Sequence, residues 1–532
     1  MNFINKNIYI ILLSVIFILS ALAVWPKGAF PLNDDWVYSY SVKHIFDYGS
    51  IKLSDWAAPS IVFHVYWGWL WCKLFGHFSF NALRLSGMFL SFTGLVFFYR
   101  LLKKSSADEP LPFFGALVLF FNPLWFLLTF SFMTDITYLA LSFISVYFYY
   151  SGLKNGKTSL LITGSVFASF CYLIRQLGIF IPFSIALLLF FEKKLDIKKA
   201  LLICLLPAVS AVLHRYWLVN IHGLTWSQQT GQDIMLSFNN VFPRLFGSLF
   251  YLGLFAAPFS YAALFSKKGG QENSNIRIWG QAVVIFLSIL LAVYIFSRGA
   301  FPYFDNVINK YGLGTITAHQ MSSKAAGFMG LTGFWDLLTV FSAVSFLIFA
   351  YNMFKYGRIS FLGKLFIFVY LSQFFMSVLR YKFFDRYTLL LLPVGIILFL
   401  EAVKAKKLNI PVFVLTLLPI CYYSICGTAD YFAWNRAKWE AGAMLVKQGF
   451  KQEEIANGFD WDGWFTFQKN MDKLKTLKPP KSIGEWDWQQ LNPYRVIVSF
   501  KAPEGPERFL ARVPYKTPLG SKESYIYAWK IN

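Results

Sequence analysis

The chain has 532 residues, of which 57% are hydrophobic and 14% charged, with 60 Phe and a formal net charge of +22. A soluble protein carries about 25% charged residues, so this composition excludes one soluble globule and makes lipid the solvent for much of the surface. The Lys and Arg excess belongs to membrane-protein loops rather than to a nucleic-acid partner, because no basic stretch separates from the hydrophobic runs.

The N-terminal segment combines Asn5-Lys6, an apolar run from Ile8 to Val24, and Ala21-Leu22-Ala23, features shared with cleavable signal peptides. The run is also long enough for a tight span, and a retained signal anchor is the expected outcome. Either way, the chain from residue 25 emerges on the extracytoplasmic side. There it forms a first loop over residues 25–80, carrying the acidic turn Asn33-Asp34-Asp35-Trp36. Within this loop Ile61 to Phe75 is aromatic and broken by Gly68, the pattern of a helix lying at the membrane interface.

Twelve more apolar runs follow, near residues 81–99, 112–130, 136–153, 159–174, 177–191, 200–218, 241–265, 278–297, 333–354, 361–379, 388–402 and 411–427. Thirteen spans with a cytoplasmic N-terminus place the C-terminus outside. The expected inner connections then carry Arg100, Lys103 and Lys104; Lys154 and Lys157; Lys193, Lys194, Lys198 and Lys199; Lys267, Lys268 and Arg277; Lys355, Arg358 and Lys364; and Lys404, Lys406 and Lys407. Every short inner loop is basic, as the positive-inside rule requires. Residues 219–240 and 298–332 become outer loops. Residues 428–532, with Pro-Pro and Gly-Pro turns and runs such as Val496-Ile497-Val498, form a small outer α/β domain beyond a membrane domain of residues 1–427. The expected fold is thus an all-α polytopic membrane protein with interfacial helices and an extracytoplasmic C-terminal domain.

Cys72, Cys171, Cys204, Cys421 and Cys426 lie in or beside apolar runs without CxxC spacing, so they imply neither a disulfide framework nor a zinc site. His64, His214 and His319 lack the paired spacing of metal ligands and are placed as polar-interface residues. Trp67 to Trp71 suits interface anchoring, and Trp461-Asp462-Gly463-Trp464 suits core packing; stacking on sugar rings is the rival reading for both.

The topology gathers Asp34, Asp35, Asp135, Arg175, Gln176, His214, Arg215, Arg298, Arg380, Lys382, Asp385, Arg386 and Tyr387 on the outer face. Ionisable groups beside span ends mark a functional site by default. Sugar transfer from a lipid-phosphate donor fits this set. It needs a carboxylate to take the acceptor's hydroxyl proton and cations, preferably Arg, to hold the departing phosphate. A transporter or lipid flippase, or a non-catalytic envelope assembly protein, is the alternative; the charges avoid mid-membrane and no internal repeat is visible, against the transporter pattern.

The order of motifs resembles the GT-C class of polyprenyl-phosphate-sugar-dependent glycosyltransferases. The likeness is greatest to the bacterial group of protein O-mannosyltransferases and lipid A aminoarabinose transferases. Asp34-Asp35-Trp36-Val37-Tyr38 resembles the group's acidic pair followed by Tyr. Ala57-Ala58-Pro59, then Phe75-Gly76 and Leu83-Arg84-Leu85, resemble its next segment. Met133-Thr134-Asp135 resembles its second acidic position, Leu173 to Gly178 its Thr-Arg-Gln-Thr-Gly run, and Asp385-Arg386-Tyr387 with Pro393 its Arg-Tyr-xx-Pro motif.

The resemblance implies a hexosyl- or pentosyltransferase of the bacterial inner membrane. It would use a polyprenyl-phosphate-linked sugar and a lipid, glycan or protein acceptor, among membrane lipids. It implies Asp34 as the base, with Asp35 as a second carboxylate or, with Asp34, a ligand for a divalent cation such as Mg or Mn. Asp135 either orients the acceptor and assists the base or caps a helix. The group's basic residue before Pro is replaced by Ala57 or Ala58. Phosphate binding is therefore expected from Lys43, Lys52, Arg175, Arg298 or Arg386, with Tyr38 and Tyr387 beside the substrate. For Arg386, pairing with Asp385 or anchoring the next span stand as other roles.

Overall fold

In the computed structural model, residues 3–105, 109–231, 235–266, 274–324, 327–356, 359–403, 408–518 and 523–531 are described. Of the basic inner-loop residues, Lys267, Lys268, Arg358, Lys404, Lys406 and Lys407 lie outside them.

The chain opens with α1 (Phe3–Val24), then α2 (Asp35–Tyr48) and α3 (Val62–Leu74) in the first loop, and α4 (Phe80–Lys104). Next come α5 (Leu111–Phe120), α6 (Pro123–Thr129), α7 (Thr134–Asn155), α8 (Thr158–Tyr172), α9 (Phe180–Phe191), α10 (Ile197–Trp217) and the short α11 (Trp226–Thr230). Then follow α12 (Val241–Leu264), α13 (Ser274–Arg298), a hairpin of β1 (Ile308–Asn309) and β2 (Gly312–Leu313), and α14 (Phe334–Tyr356). The last helices of the bundle are α15 (Phe361–Phe366), α16 (Ser372–Val378), α17 (Leu391–Ala402) and α18 (Ile410–Lys447). A π-helical turn at Ile367–Leu371 joins α15 to α16, and a 3₁₀ turn at Asp385–Leu390 leads into α17.

All thirteen apolar runs are helical, but not all are straight spans. Among the described residues nine helices are long and apolar enough to cross a membrane, ten if the bent pair α5 and α6 counts as one. The protein is a multi-span membrane protein. The run near 112–130 bends by 67°. Asn122 Oδ1 accepts from the N–H groups of Leu124 and Trp125 and so starts a new helix, and Pro123 has no N–H to continue the old one. The runs near 159–174 and 177–191 are shorter apolar helices, divided where Arg175 takes an extended backbone (φ −143°, ψ 134°). α3 is 13 residues long, too short to span, with Tyr66, Leu70 and Leu74 exposed along it.

The expected domain boundary at 428 falls inside a helix. α18 continues without a break for twenty residues past its apolar part, burying Tyr431, Trp434, Ala441 and Leu445. Beyond it lie β3 (Ile455–Ala456), α19 (Phe459–Leu477), α20 (Asp487–Gln490), β4 (Val496–Ser499), β5 (Phe509–Lys516) and β6 (Glu523–Lys530). The sheet order is β3-β4-β6-β5, with β3 parallel to β4 and the other neighbours antiparallel. Strand β5 buries Ala511, Val513 and Tyr515 on one face, the alternation of a half-covered strand.

The C-terminal region packs onto the first loop. Trp36, 1% exposed, sits against Phe459, Phe467 and Trp488, and Asp55 pairs with Lys475 at 2.6 Å. Asp55 also accepts from the N–H of Trp226, so the loop holding α11 joins the same junction. Trp461 is buried against Trp439, and Trp464 stacks on Phe78, which is the core-packing reading of that Trp-rich stretch.

Candidate active site at the acidic loop

The acidic turn is built by Pro31-Leu32-Asn33. Asn33 has φ 47°, in the left-handed region that Asn tolerates better than most side chains. This turns the chain so that α2 begins at Asp35 with Asp34 at the capping position. Asp34 makes no side-chain cap bond. Its Oδ2 instead lies 3.6 Å from Nη2 of Arg386, a charge pair longer than a direct hydrogen bond.

Arg84 secures the approach to this turn. Its side chain is buried, with Nη1 donating to Gly28 O at 2.5 Å and Nη2 donating to Phe30 O. Its guanidinium also lies over the Phe30 and Phe432 rings, 4.9 and 5.2 Å from their centroids.

Asp135 is in the first turn of α7, where the helix dipole favours a carboxylate. It is 3% exposed and meets two guanidiniums, Arg175 Nη2 at 2.9 Å and Arg386 Nε at 3.9 Å. Thr134 Oγ1 accepts from Nε and Nη2 of Arg175, at 3.0 and 2.8 Å, and holds the fork in place. Arg386 is 9% exposed on the 3₁₀ turn before α17, with its guanidinium over the Phe384 ring. Its Nε and Nη1 make no hydrogen bond among the described residues. Tyr38, on α2, is buried beside the same four charges. Burial pushes its hydroxyl well above the usual range, and the Asp34 carboxylate adds to this.

Asp34, Asp135, Arg175, Arg386 and Tyr38 therefore converge from four distant segments. Other candidates do not join them. Lys43 pairs with Asp47 at 2.5 Å and lies over the Phe78 ring; Lys52 is exposed. Arg298 is exposed at the end of α13, where the Tyr294 hydroxyl feels its charge. Tyr387 is half-buried against Phe383 and Phe384. Of the roles open to Arg386, the geometry favours facing Asp34 and Asp135. Asp385 instead accepts from the N–H groups of Val307 and Ile308, at 2.9 and 2.6 Å.

Asp35 does not point where Asp34 points. Its Oδ1 accepts from Phe132 N–H at 3.1 Å and its Oδ2 from Leu32 N–H at 3.3 Å. Burial pushes its carboxyl up to about 7, against the lowering effect of these bonds. A divalent cation needs several converging oxygen ligands. Asp35 commits both oxygens to backbone, and Asp34 faces a guanidinium, so this pair does not fit a Mg or Mn site. Among the described residues no three His, Cys, Asp or Glu gather as a metal site.

His64, expected as a polar-interface residue, is enclosed by protein. It is fully buried, its Nε2 3.0 Å from Phe132 O and its ring stacked on Phe132 at 4.0 Å. Burial lowers its imidazole to about 4, so it stays neutral. Thr134 and Arg84 carry a weaker signal in the sequence: Thr134 precedes Asp135, and Arg84 lies within Leu83-Arg84-Leu85.

An apolar cavity of about 490 Å³ lies between α12, α14 and α18. Ile308, Trp335, Phe341, Pro419 and Tyr423 are among its lining residues. Ile308 is also the residue whose N–H is bound by Asp385, next to Arg386.

Residues 60–217 match the model of the family described as dolichyl-phosphate-mannose-protein mannosyltransferase. No curated protein sequence matches. Among solved structures, one similar to this chain is ArnT from Cupriavidus metallidurans bound to undecaprenyl phosphate. It is 12% identical, with 97% of each chain covered and a TM-score of 0.42. Another is the archaeal oligosaccharyltransferase AglB from Archaeoglobus fulgidus, in complex with an inhibitory peptide and a dolichol-phosphate. It is 12% identical, covering 94% of this chain and 70% of that one, with a TM-score of 0.40. The family match supports glycosyltransferase activity in this membrane protein. Over residues 60–217 the chain thus resembles a family of lipid-phosphate-sugar-dependent glycosyltransferases.

Proposed function

We propose that this protein is an integral membrane glycosyltransferase that moves a sugar from a polyprenyl-phosphate donor to an acceptor hydroxyl on the extracytoplasmic face of the bacterial inner membrane. The observation that carries the reading is the placement of Arg386 between two carboxylates, Asp34 and Asp135, with Arg175 behind the second. A carboxylate within reach of an acceptor hydroxyl can take its proton. A buried guanidinium with donors to spare is suited to anionic oxygens.

In this reading Asp34 takes the proton from the acceptor hydroxyl as its oxygen attacks the anomeric carbon. The bond to the donor phosphate breaks, and Arg386, with Arg175 behind it, stabilises the charge left on the polyprenyl phosphate. Asp135 holds both guanidiniums in place. The apolar cavity beyond Ile308 suits the polyprenyl chain, since a prenyl tail needs apolar walls and no polar partners.

The test is transfer from radiolabelled polyprenyl-phosphate sugars in reconstituted vesicles. Wild type is expected to label an acceptor, and Asp34→Asn to lose about 10²-fold or more, the usual worth of a general base. Passage of a solute without transfer from any donor would replace this reading with transport. A cysteine at position 34 that no impermeant outside reagent labels would overturn the sidedness.

A further inference from the structure

The backbone of Phe132 is held on both sides of its Cα by two side chains of the first loop, one on each flanking peptide group. Its N–H donates to Asp35 Oδ1 at 3.1 Å, and its carbonyl oxygen lies 3.0 Å from His64 Nε2. A carbonyl oxygen only accepts, so the imidazole carries its proton on Nε2. All three residues are buried: Asp35 2%, His64 0% and Phe132 1% exposed. The His64 ring also stacks on Phe132, and Tyr38 meets His64 edge-on at 5.4 Å.

The second oxygen of Asp35 accepts from Leu32 N–H, which begins the turn carrying Asn33 and Asp34. One carboxylate thus spans two backbone segments, the turn before Asp34 and the strand-like stretch before Thr134 and Asp135. These segments lie about a hundred residues apart in the chain, and no helix links them directly.

We propose that Asp35 and His64 are positioning residues that clamp the Phe132 backbone and so set the separation of Asp34 from Asp135. The proposal rests on the transferase reading above. It assigns the second acid of the pair to backbone, whereas a base or a cation ligand needs a lone pair facing the reacting groups. A buried acceptor for the N–H of Phe132, or a buried donor to its C=O, is costly to remove, because the partner group is left unsatisfied. The clamp therefore has a conformational output: without it, residues 132–135 relax away from the first loop.

Substitutions that keep or remove each contact make the test. Asn at position 35 keeps an acceptor for Phe132 N–H while giving up the one for Leu32 N–H, and Gln at position 64 keeps a donor for Phe132 O. Asp35→Asn and His64→Gln are expected to lose about tenfold or less in kcat. Asp35→Ala and His64→Leu are expected to lose about 10²-fold, the scale of an ångström's misplacement, with KM for the donor little changed. Because both hold the backbone of one residue, the double variant Asp35→Ala/His64→Leu should be no slower than the worse single one.

Amide hydrogen exchange across residues 128–138 gives a readout that needs no activity. Exchange should quicken in Asp35→Ala and stay near wild type in Asp35→Asn. Asp35→Asn as inactive as Asp34→Asn, fully multiplicative single effects, or unchanged exchange in Asp35→Ala would each overturn the clamp. Wild type without any transfer would instead remove the transferase reading, and the exchange result would still decide the clamp. Should the Ala and Leu variants fail to fold, the Asn and Gln variants alone decide it.

Discussion

The guanidinium of Arg175 meets the carboxylate of Asp135 at 2.9 Å, with the acid 4% and the base 15% exposed. The rest of α7 and all of α8 separate them in the chain, and the pair forms because the chain breaks out of helix at Arg175, between α8 and α9. Removing one partner of such a buried pair leaves the other charge unsatisfied, at about 3–5 kcal/mol.

Arg175→Ala is therefore expected to lower the thermal midpoint in detergent sharply, and Arg175→Lys to lower it less while losing the fork that Thr134 holds. Asp135→Asn with Arg175→Gln should recover part of the loss of either single change. Independent, additive effects in this cycle would show that the pair contributes nothing as a pair.

Two buried carboxyls outside the membrane-spanning helices link stability to pH. Burial raises both Asp35 and Asp462 to about 7, and in each case hydrogen bonds lower it only partly; for Asp462 the Tyr494 hydroxyl donates at 2.8 Å. A folded-state value above the unfolded one means the folded protein binds more protons between about pH 4 and 7. The stability from these groups is fully present below the unfolded value and is lost as pH rises through 7. The thermal midpoint should fall between pH 5 and 8, and Asp462→Asn should flatten part of that slope. A wild-type midpoint that stays level or rises across this range would contradict the assignment.

The sequence disclosed the bundle through long apolar runs, whose length and period depend on local chain alone. It also disclosed Asp34, Asp135, Arg175 and Arg386, because order and sidedness bring span ends to one face. It could not separate Asp34 from Asp35 by physics, since adjacent residues differ only in what each side chain later meets. The bend at Asn122-Pro123 was present as a capping signal inside an apolar run, but hydropathy averages such signals away. His64 and Lys324 were invisible because their partners, Phe132 and Asp430, are remote in sequence and found only by tertiary packing.

Lys324 and Asp430 pair at 2.5 Å with side chains 3% and 1% exposed, and Lys324 also donates to Tyr311 O at 3.1 Å. The pair ties the loop holding the β1–β2 hairpin to α18. Lys324→Met or Asp430→Leu alone should destabilise strongly, while the double change should restore most stability, since well-packed apolar pairs replace buried ion pairs at little cost. Thermal midpoints of the four proteins check this. A double variant as unstable as either single one would mean that the charges do more than satisfy each other.

Gly463, in α19, gives a test of whether the C-terminal region supports the acidic loop. A Cβ built there would lie 2.3 Å from the Trp36 indole, which is buried beside Phe467 and Trp488. Trp36 follows Asp35 directly, so pressure on the indole acts on the clamp and on Asp34. Gly463→Val should cost about 1–3 kcal/mol as overpacking and slow transfer more than the stability loss explains. Trp36→Phe makes room for the added methyl groups and should restore part of the rate in the double variant. Full transfer by Gly463→Val in vesicles, with a normal midpoint, would show that α19 does not bear on the acidic loop.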